Sequence, residues 1–214
     1  MPKESGEPKP MLWFALDPPN VCSLAGLLAA VLGVYFAVRG VFPAAMIALL
    51  WAIVLDWTDG IIARGMKQRT ADRRAFGAQL DSLIDIVSFG VGPALVLLSV
   101  GRFGPWFLPG AFVILATAAV RLSHFNVFGL VGGSTYRGLA LDNNVIILAL
   151  FFAFRPLVGT AVFTGVVYGG LMALAALNVA PIRTPKLSGA WYYAIIAYAL
   201  GMSGVFAWQL LHLA

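Results

Sequence analysis

The stretch Asp56–Asp85, DWTDGIIARGMKQRTADRRAFGAQLDSLID, decides how this sequence is read. Asp56 and Asp59 stand three residues apart and Asp81 and Asp85 four apart, so each pair projects from one face of a helix. Almost everything outside the stretch is apolar. A carboxylate near the centre of a bilayer costs about 2.5–3.5 kcal/mol on insertion scales, so four near helix ends need a compensating partner, most simply metal cations. The stretch reads as a catalytic site.

The rest of the chain sets the environment of these acids. Of 214 residues 61% are hydrophobic and only 11% charged, far too apolar for a soluble domain. Windows of roughly 20 residues able to cross the hydrocarbon layer as helix fall at about 21–38, 41–62, 80–100, 106–127, 139–155, 158–178 and 189–211. The runs are continuously apolar and do not alternate, so membrane-crossing strands are not expected. The expected fold is an all-α polytopic bundle of about six to eight transmembrane helices. Residues 1–20 are expected to form a cytoplasmic tail and interfacial segment, and residues 21–214 a single transmembrane catalytic domain.

Basic residues set the expected orientation, because Lys and Arg accumulate at cytoplasmic span ends. With the N-terminus cytoplasmic, seven spans put 11 of the 14 basic residues inside and only Arg39, Arg102 and Arg155 outside. The Asp56–Asp85 stretch then lies at the cytoplasmic face. The net charge of +5 is no nucleic-acid signal, since its cations occupy short membrane-flanking loops. Anionic headgroups and phosphate-bearing ligands are the expected partners. A single cysteine, Cys22, excludes an intramolecular disulfide and thiolate metal binding.

Taken in order, residues 1–10 read as a mobile tail, and no signal-peptide cleavage pattern follows the first apolar run. Residues 11–16, MLWFAL, are expected as a short interfacial helix ending before Pro18-Pro19, with Asn20 capping the first span. Between Arg64 and Gly77 a basic loop is expected to leave the membrane, with phosphate steering as its lesser reading. Pro93 is expected to kink the third span, and the Gly-rich 128–138 to be a flexible loop.

Asp56, Asp59, Gly60, Ala63 and Arg64 form one helical stripe, and Gly77, Asp81 and Asp85 another. If the third span packs on the second through Gly77, the four acids face one another across a cleft. An all-oxygen ligand set favours Mg²⁺ or Mn²⁺ over zinc. Two such ions roughly 3.5–4 Å apart suit in-line displacement at phosphorus.

The pattern DxxDGxxAR followed by GxxxDxxxD resembles the signature of the CDP-alcohol phosphotransferase family, membrane enzymes that join a CDP-linked group to an alcohol and release CMP. All eight fixed residues are present: Asp56, Asp59, Gly60, Ala63, Arg64, Gly77, Asp81 and Asp85. Twelve residues separate Arg64 from Gly77 where the family usually has about eight, a cheap insertion in an exposed loop. The runs QLDSLIDIVSFGVGPA (79–94), RLSHFNV (121–127) and YRGL (136–139) are similar to the phosphatidylserine synthase branch. The chain departs from that branch at 140–144, Ala-Leu-Asp-Asn-Asn, which bears on the acceptor and not on the reaction class.

The resemblance implies that Asp56, Asp59, Asp81 and Asp85 hold the metals, with Asp85 also acting as base. Asp56, Gly60, Ala63, Arg64 and Gly77 would serve the nucleotide. The implied substrates are CDP-diacylglycerol and L-serine, and the implied assembly is a homodimer. Asp142 could meet the serine ammonium, and Arg121 or Arg137 its carboxylate; interfacial anchoring and a helix cap are the competing roles for the three. Choline, inositol or a glycerol derivative is the alternative acceptor. From other classes come a cation transporter, against which all nine acids map to the cytoplasmic side, and a catalytically silent scaffold.

Overall fold

The structure is a computed structural model that describes residues 9–187 and 189–212. A short helix α1 (Met11–Ala15) precedes α2 (Pro18–Val38) and α3 (Phe42–Gly65). Next come α4 (Ala71–Asp85), a π-helical segment (Ile86–Val91) and α5 (Gly92–Val100), which run on as one rod. The chain continues through α6 (Leu108–Phe128), α7 (Asp142–Ala153), α8 (Thr160–Val179) and α9 (Trp191–His212). Six of these helical rods are long and apolar enough to cross a membrane, which makes this an all-α integral membrane protein. The expected domain boundary after residue 20 falls inside α2, and the tail of residues 1–8 lies outside the described residues.

The fifth expected window, 139–155, is occupied by the 12-residue α7, about 18 Å long. Its N-terminus therefore stops well short of the bundle's end. A hydrogen bond from Trp57 Nε1 to Asp142 Oδ2 fixes that start eight residues, about 12 Å, below the C-terminus of α3. The space above α7 becomes the cavity described below.

Helix α3 runs through the middle of the bundle, with Ala45, Met46, Leu49, Leu50 and Ile53 fully buried. It packs most closely on α2, which presents the small stripe Ser23, Gly26, Ala30, Gly33 and Ala37 at alternating spacings of three and four. A Cβ on Gly33 would sit 2.7 Å from Leu49 Cγ. Gly33→Val is expected to destabilise the bundle by about 1–3 kcal/mol, read as a lower midpoint of thermal unfolding in detergent. Gly165→Val, where an added Cβ meets nothing within 4 Å, is the control expected to leave the midpoint near that of the native chain.

The connection from α3 to α4 corrects the expected loop. Only Met66–Thr70 is non-helical, because the Thr70 hydroxyl accepts from the Arg73 N–H at 3.3 Å and starts α4 at Ala71. Most of the basic residues there have structural partners. Arg69 donates to the buried Asp17 carboxylate at 2.7 Å, and Arg73 lies 3.5 Å from the same group while its guanidinium stacks 3.8 Å from the Trp13 ring centre. Phe14 stacks on Phe76, so α1 is clamped onto α4. Helix α1 ends before the prolines as expected, but Asn20 does not cap α2. The prolines themselves open that helix, and the Asn20 amide donates back to the Phe14 carbonyl at 2.8 Å.

Pro93 acts through the segment before it. Lacking an N–H, it returns no helical hydrogen bond to the Phe89 carbonyl, and the helix widens to π geometry over Ile86–Val91. The buried Asn144 amide donates to that Phe89 oxygen at 3.4 Å and docks α7 there.

Residues 128–138 are not simply a flexible loop. Strand β1 (Thr135–Arg137) pairs antiparallel with β2 (Arg183–Pro185), with Tyr136 opposite Thr184, and the ribbon ties the α6–α7 connection to the α8–α9 connection. Gly138 makes this join possible, since its φ is +77° and a Cβ there would lie 2.0 Å from the Asn178 carbonyl oxygen.

Candidate active site

A cavity of about 420 Å³ opens where the C-terminal turns of α3 and α4 face α6, the start of α7 and the β-ribbon. Its walls include Asp56, Asp59, Gly60, Arg64, Asp81, Asp85, Arg121 and Asp142 from the residues singled out in the sequence. Ala63, Gly77 and Arg137 are not part of those walls.

Carboxylate oxygens of Asp56, Asp81 and Asp85 all lie within 4.8 Å of one another. Helical periodicity explains each pair, and α2, packed against both α3 and α4, brings the two sets together. Three carboxylates so close repel strongly in a low-dielectric setting, and a divalent cation relieves that repulsion. Asp85 Oδ1 is buried without a hydrogen-bond partner among the described residues, which leaves that oxygen free to bind a cation. The residues present fit a hard cation with oxygen ligands.

Asp59 stands apart from these three. It is buried, and the Ser23 hydroxyl from α2 hydrogen-bonds its Oδ2. Gly77 also differs in role from the expectation. It packs against α2 and not α3, with a hypothetical Cβ 2.9 Å from Asn20 Oδ1 and 2.8 Å from the Arg69 guanidinium. The cleft between the acid pairs is thus set by α2, wedged beside both helices. Bare space at Gly60 admits the Arg64 side chain, whose Nη1 lies 3.2 Å from where a Cβ would be, so this arginine folds back along its own helix over the cavity.

Across from the acids stands Arg121 on α6, buried, with its Nε unpartnered. Its guanidinium lies 5.2 Å from the Tyr136 ring centre and 5.8 Å from that of Phe125. The salt bridges among the described residues are those of Asp17, so Arg121 has no carboxylate in ion-pair contact. Arg137 follows Tyr136 on the strand, and the alternation of strand side chains turns it outward to solvent while Tyr136 lines the cavity. Burial, then the nearby Asp142, hold the Tyr136 phenol above its ordinary range, so it stays a neutral hydroxyl at pH 7.

Asp142 opens α7 and accepts from Trp57 and from Asn143 of its own first turn. Asp142 is not the cap of α7, a position held by Leu141 without a side-chain hydrogen bond; it is an acid of the first turn that also lines the cavity. Sequence reasoning passed over Ser23, the Trp57 link, Lys186 and Tyr192, all placed by contacts between distant segments. Only Trp57 carried a local signal, its position beside Asp56 in the motif.

Archaetidylserine synthase of Methanothermobacter thermautotrophicus is 29% identical to this chain over 174 residues, 80% of this chain and 70% of that protein. The CDP-diacylglycerol–serine O-phosphatidyltransferase of Methanocaldococcus jannaschii is 28% identical over 149 residues, 70% of this chain and 67% of that one. The protein of the same name from Helicobacter pylori J99 is 31% identical over 114 residues, 51% of this chain, and the matched part is 45% of that protein. The family description CDP-alcohol phosphatidyltransferase matches residues 16–201, which holds the aspartates, the Arg121 helix and the ribbon. The chain belongs to the CDP-alcohol phosphatidyltransferase family.

Proposed function

We propose that this enzyme transfers a phosphatidyl group from CDP-diacylglycerol to the hydroxyl of L-serine, giving phosphatidylserine and CMP. The observation that carries the reading is the convergence of Asp56, Asp81 and Asp85 opposite an unpaired Arg121 and an Asp142 held only by neutral donors. Two relatives whose names specify serine as acceptor support it, as does the archaetidylserine synthase.

Mg²⁺ or Mn²⁺, held by Asp56, Asp81 and Asp85, would supply neutralisation of the charge that develops on the phosphoryl oxygens. Asp59, one turn from Asp56, is the remaining acid of the motif for a second ion. Arg64 grips the pyrophosphate of the CDP-lipid as a planar two-donor fork. Asp85 takes the proton from the serine hydroxyl as its oxygen bonds to phosphorus, and the bond from phosphorus to the CMP oxygen breaks. Arg121 receives the serine carboxylate and Asp142 the ammonium. Basic residues concentrated at this end of the bundle support a cytoplasmic active site and N-terminus, and family resemblance supports a homodimer, which cross-linking in membranes would test.

The test is purified enzyme with labelled CDP-diacylglycerol and a panel of L-serine, choline, inositol and glycerol 3-phosphate, measuring CMP and lipid product. L-serine is expected to give the highest kcat/KM. Excess chelator should abolish turnover, and Mg²⁺ or Mn²⁺ should restore it. Faster transfer to another alcohol overturns the serine assignment, and full turnover in chelator overturns the metal. The similarity to an archaetidylserine synthase favours a second reading of the lipid tail alone; an ether-linked CDP-lipid as alternative donor separates the two.

A further inference from the structure

The reaction above gives no role to Trp57. This residue follows Asp56 directly, so it turns off the carboxylate stripe and toward α7. Its indole N–H donates to Asp142 Oδ2 at 3.0 Å, joining segments 85 residues apart. The other Asp142 oxygen accepts from the Asn143 backbone N–H at 2.9 Å and from the Asn143 side-chain amide at 3.0 Å. All three donors are neutral. Neither salt bridge among the described residues involves Asp142. A carboxylate fixed in this way is oriented without having its charge cancelled, and the direction left open to it is the cavity.

We propose that Trp57 is a positioning residue that aims the Asp142 carboxylate at the ammonium of an amino-alcohol acceptor. The proposal rests on the acceptor site described above. One turn of α3 then carries both Asp56, which belongs to the metal-binding cluster, and the donor that locates the acceptor's cation. The acceptor hydroxyl is thereby set at a fixed distance from the phosphorus held at that cluster. Misplacement of about 1 Å at such a point can cost on the order of 10²-fold in rate, which is the physical reason for tying the two elements by a direct hydrogen bond.

Trp57→Phe keeps an aromatic ring in place and removes the N–H. It is expected to raise the L-serine KM about tenfold, the usual scale for a hydrogen bond to a charged group, and to lower kcat with saturating serine as the acceptor hydroxyl loses its alignment, while the CDP-lipid KM changes by less than about twofold. In an Asp142→Asn background the same change should add nothing, because coupled residues are non-additive. Benzothienylalanine at position 57, which keeps the bicyclic shape and lacks the N–H, should reproduce the effect and serves if the Phe variant packs poorly. Equal rises in both KM values, or a serine effect as large without Asp142 as with it, would overturn the proposal. A native chain that uses no amino alcohol refutes the acceptor reading itself; one that uses serine while both Trp57 variants keep the serine KM within twofold refutes only the role of Trp57.

Discussion

Replacing any of Asp56, Asp81 or Asp85 with Asn is expected to lower kcat by about 10²–10³-fold or more, the scale of removing a group that stabilises developing charge. The three oxygens converge within 4.8 Å, so loss of one charge removes a ligand without opening a hole in the core. Asn is nearly isosteric with Asp, and yield and unfolding midpoint in detergent should stay close to those of the native enzyme. The variants are expected to differ in what survives. Asp85→Asn loses the base as well as a ligand, yet CDP-lipid binding stays measurable by calorimetry because two carboxylates of the cluster remain. Asp59→Asn is expected to cost less than the other three, since the Ser23 hydroxyl already occupies one of its oxygens. Near-normal turnover of Asp85→Asn would assign the base elsewhere, and an Asp59 loss equal to the others would return it to the shared cluster.

Arg121→Ala is expected to raise the L-serine KM by about 100-fold, because truncating one partner of a buried charge pair typically costs 2–5 kcal/mol. The guanidinium is buried between aromatic rings, has no carboxylate partner among the described residues and leaves Nε unpartnered, so little but an incoming anion satisfies it. Arg121→Lys should recover part of the loss, since an ammonium keeps the charge and not the fork. Ethanolamine, which lacks the carboxylate, separates recognition from packing. Discrimination between serine and ethanolamine, measured as the ratio of kcat/KM, should collapse in Arg121→Ala while the CDP-lipid KM changes little. An unchanged ratio would assign Arg121 to holding Tyr136 and the ribbon in place.

Local periodicity carried much of this protein. Continuous apolar runs of about 20 residues in a chain with 11% charge, without the alternation of barrel strands, point to membrane helices that satisfy their own backbone. The spacing of Asp56 with Asp59 and of Asp81 with Asp85 fixes which side chains share a helix face before any contact is known. Where the chain turns, local signals read correctly that one helix ends before Pro18-Pro19, but they gave the opening of the next to Asn20, and the prolines themselves open it. They misread the stretch between Arg64 and Gly77, where basic character suggested a loop and the Thr70 cap with the Asp17–Arg69 pair made about half of it helix.

Tertiary structure decided the rest. A sequence gives the stripe on each helix but not the rotation and offset at which two stripes meet, because those depend on which small residues let backbones approach. Gly33 against Leu49 sets α2 on α3, and Gly77 against Asn20 sets α4 on α2, so three of the four acids converge and Asp59 turns to Ser23. The pairing of Tyr136 with Thr184 decides that the tyrosine and not Arg137 faces the cavity. The single hydrogen bond between Trp57 and Asp142 spans 85 residues, a separation at which neither residue carries information about the other until the helices are packed.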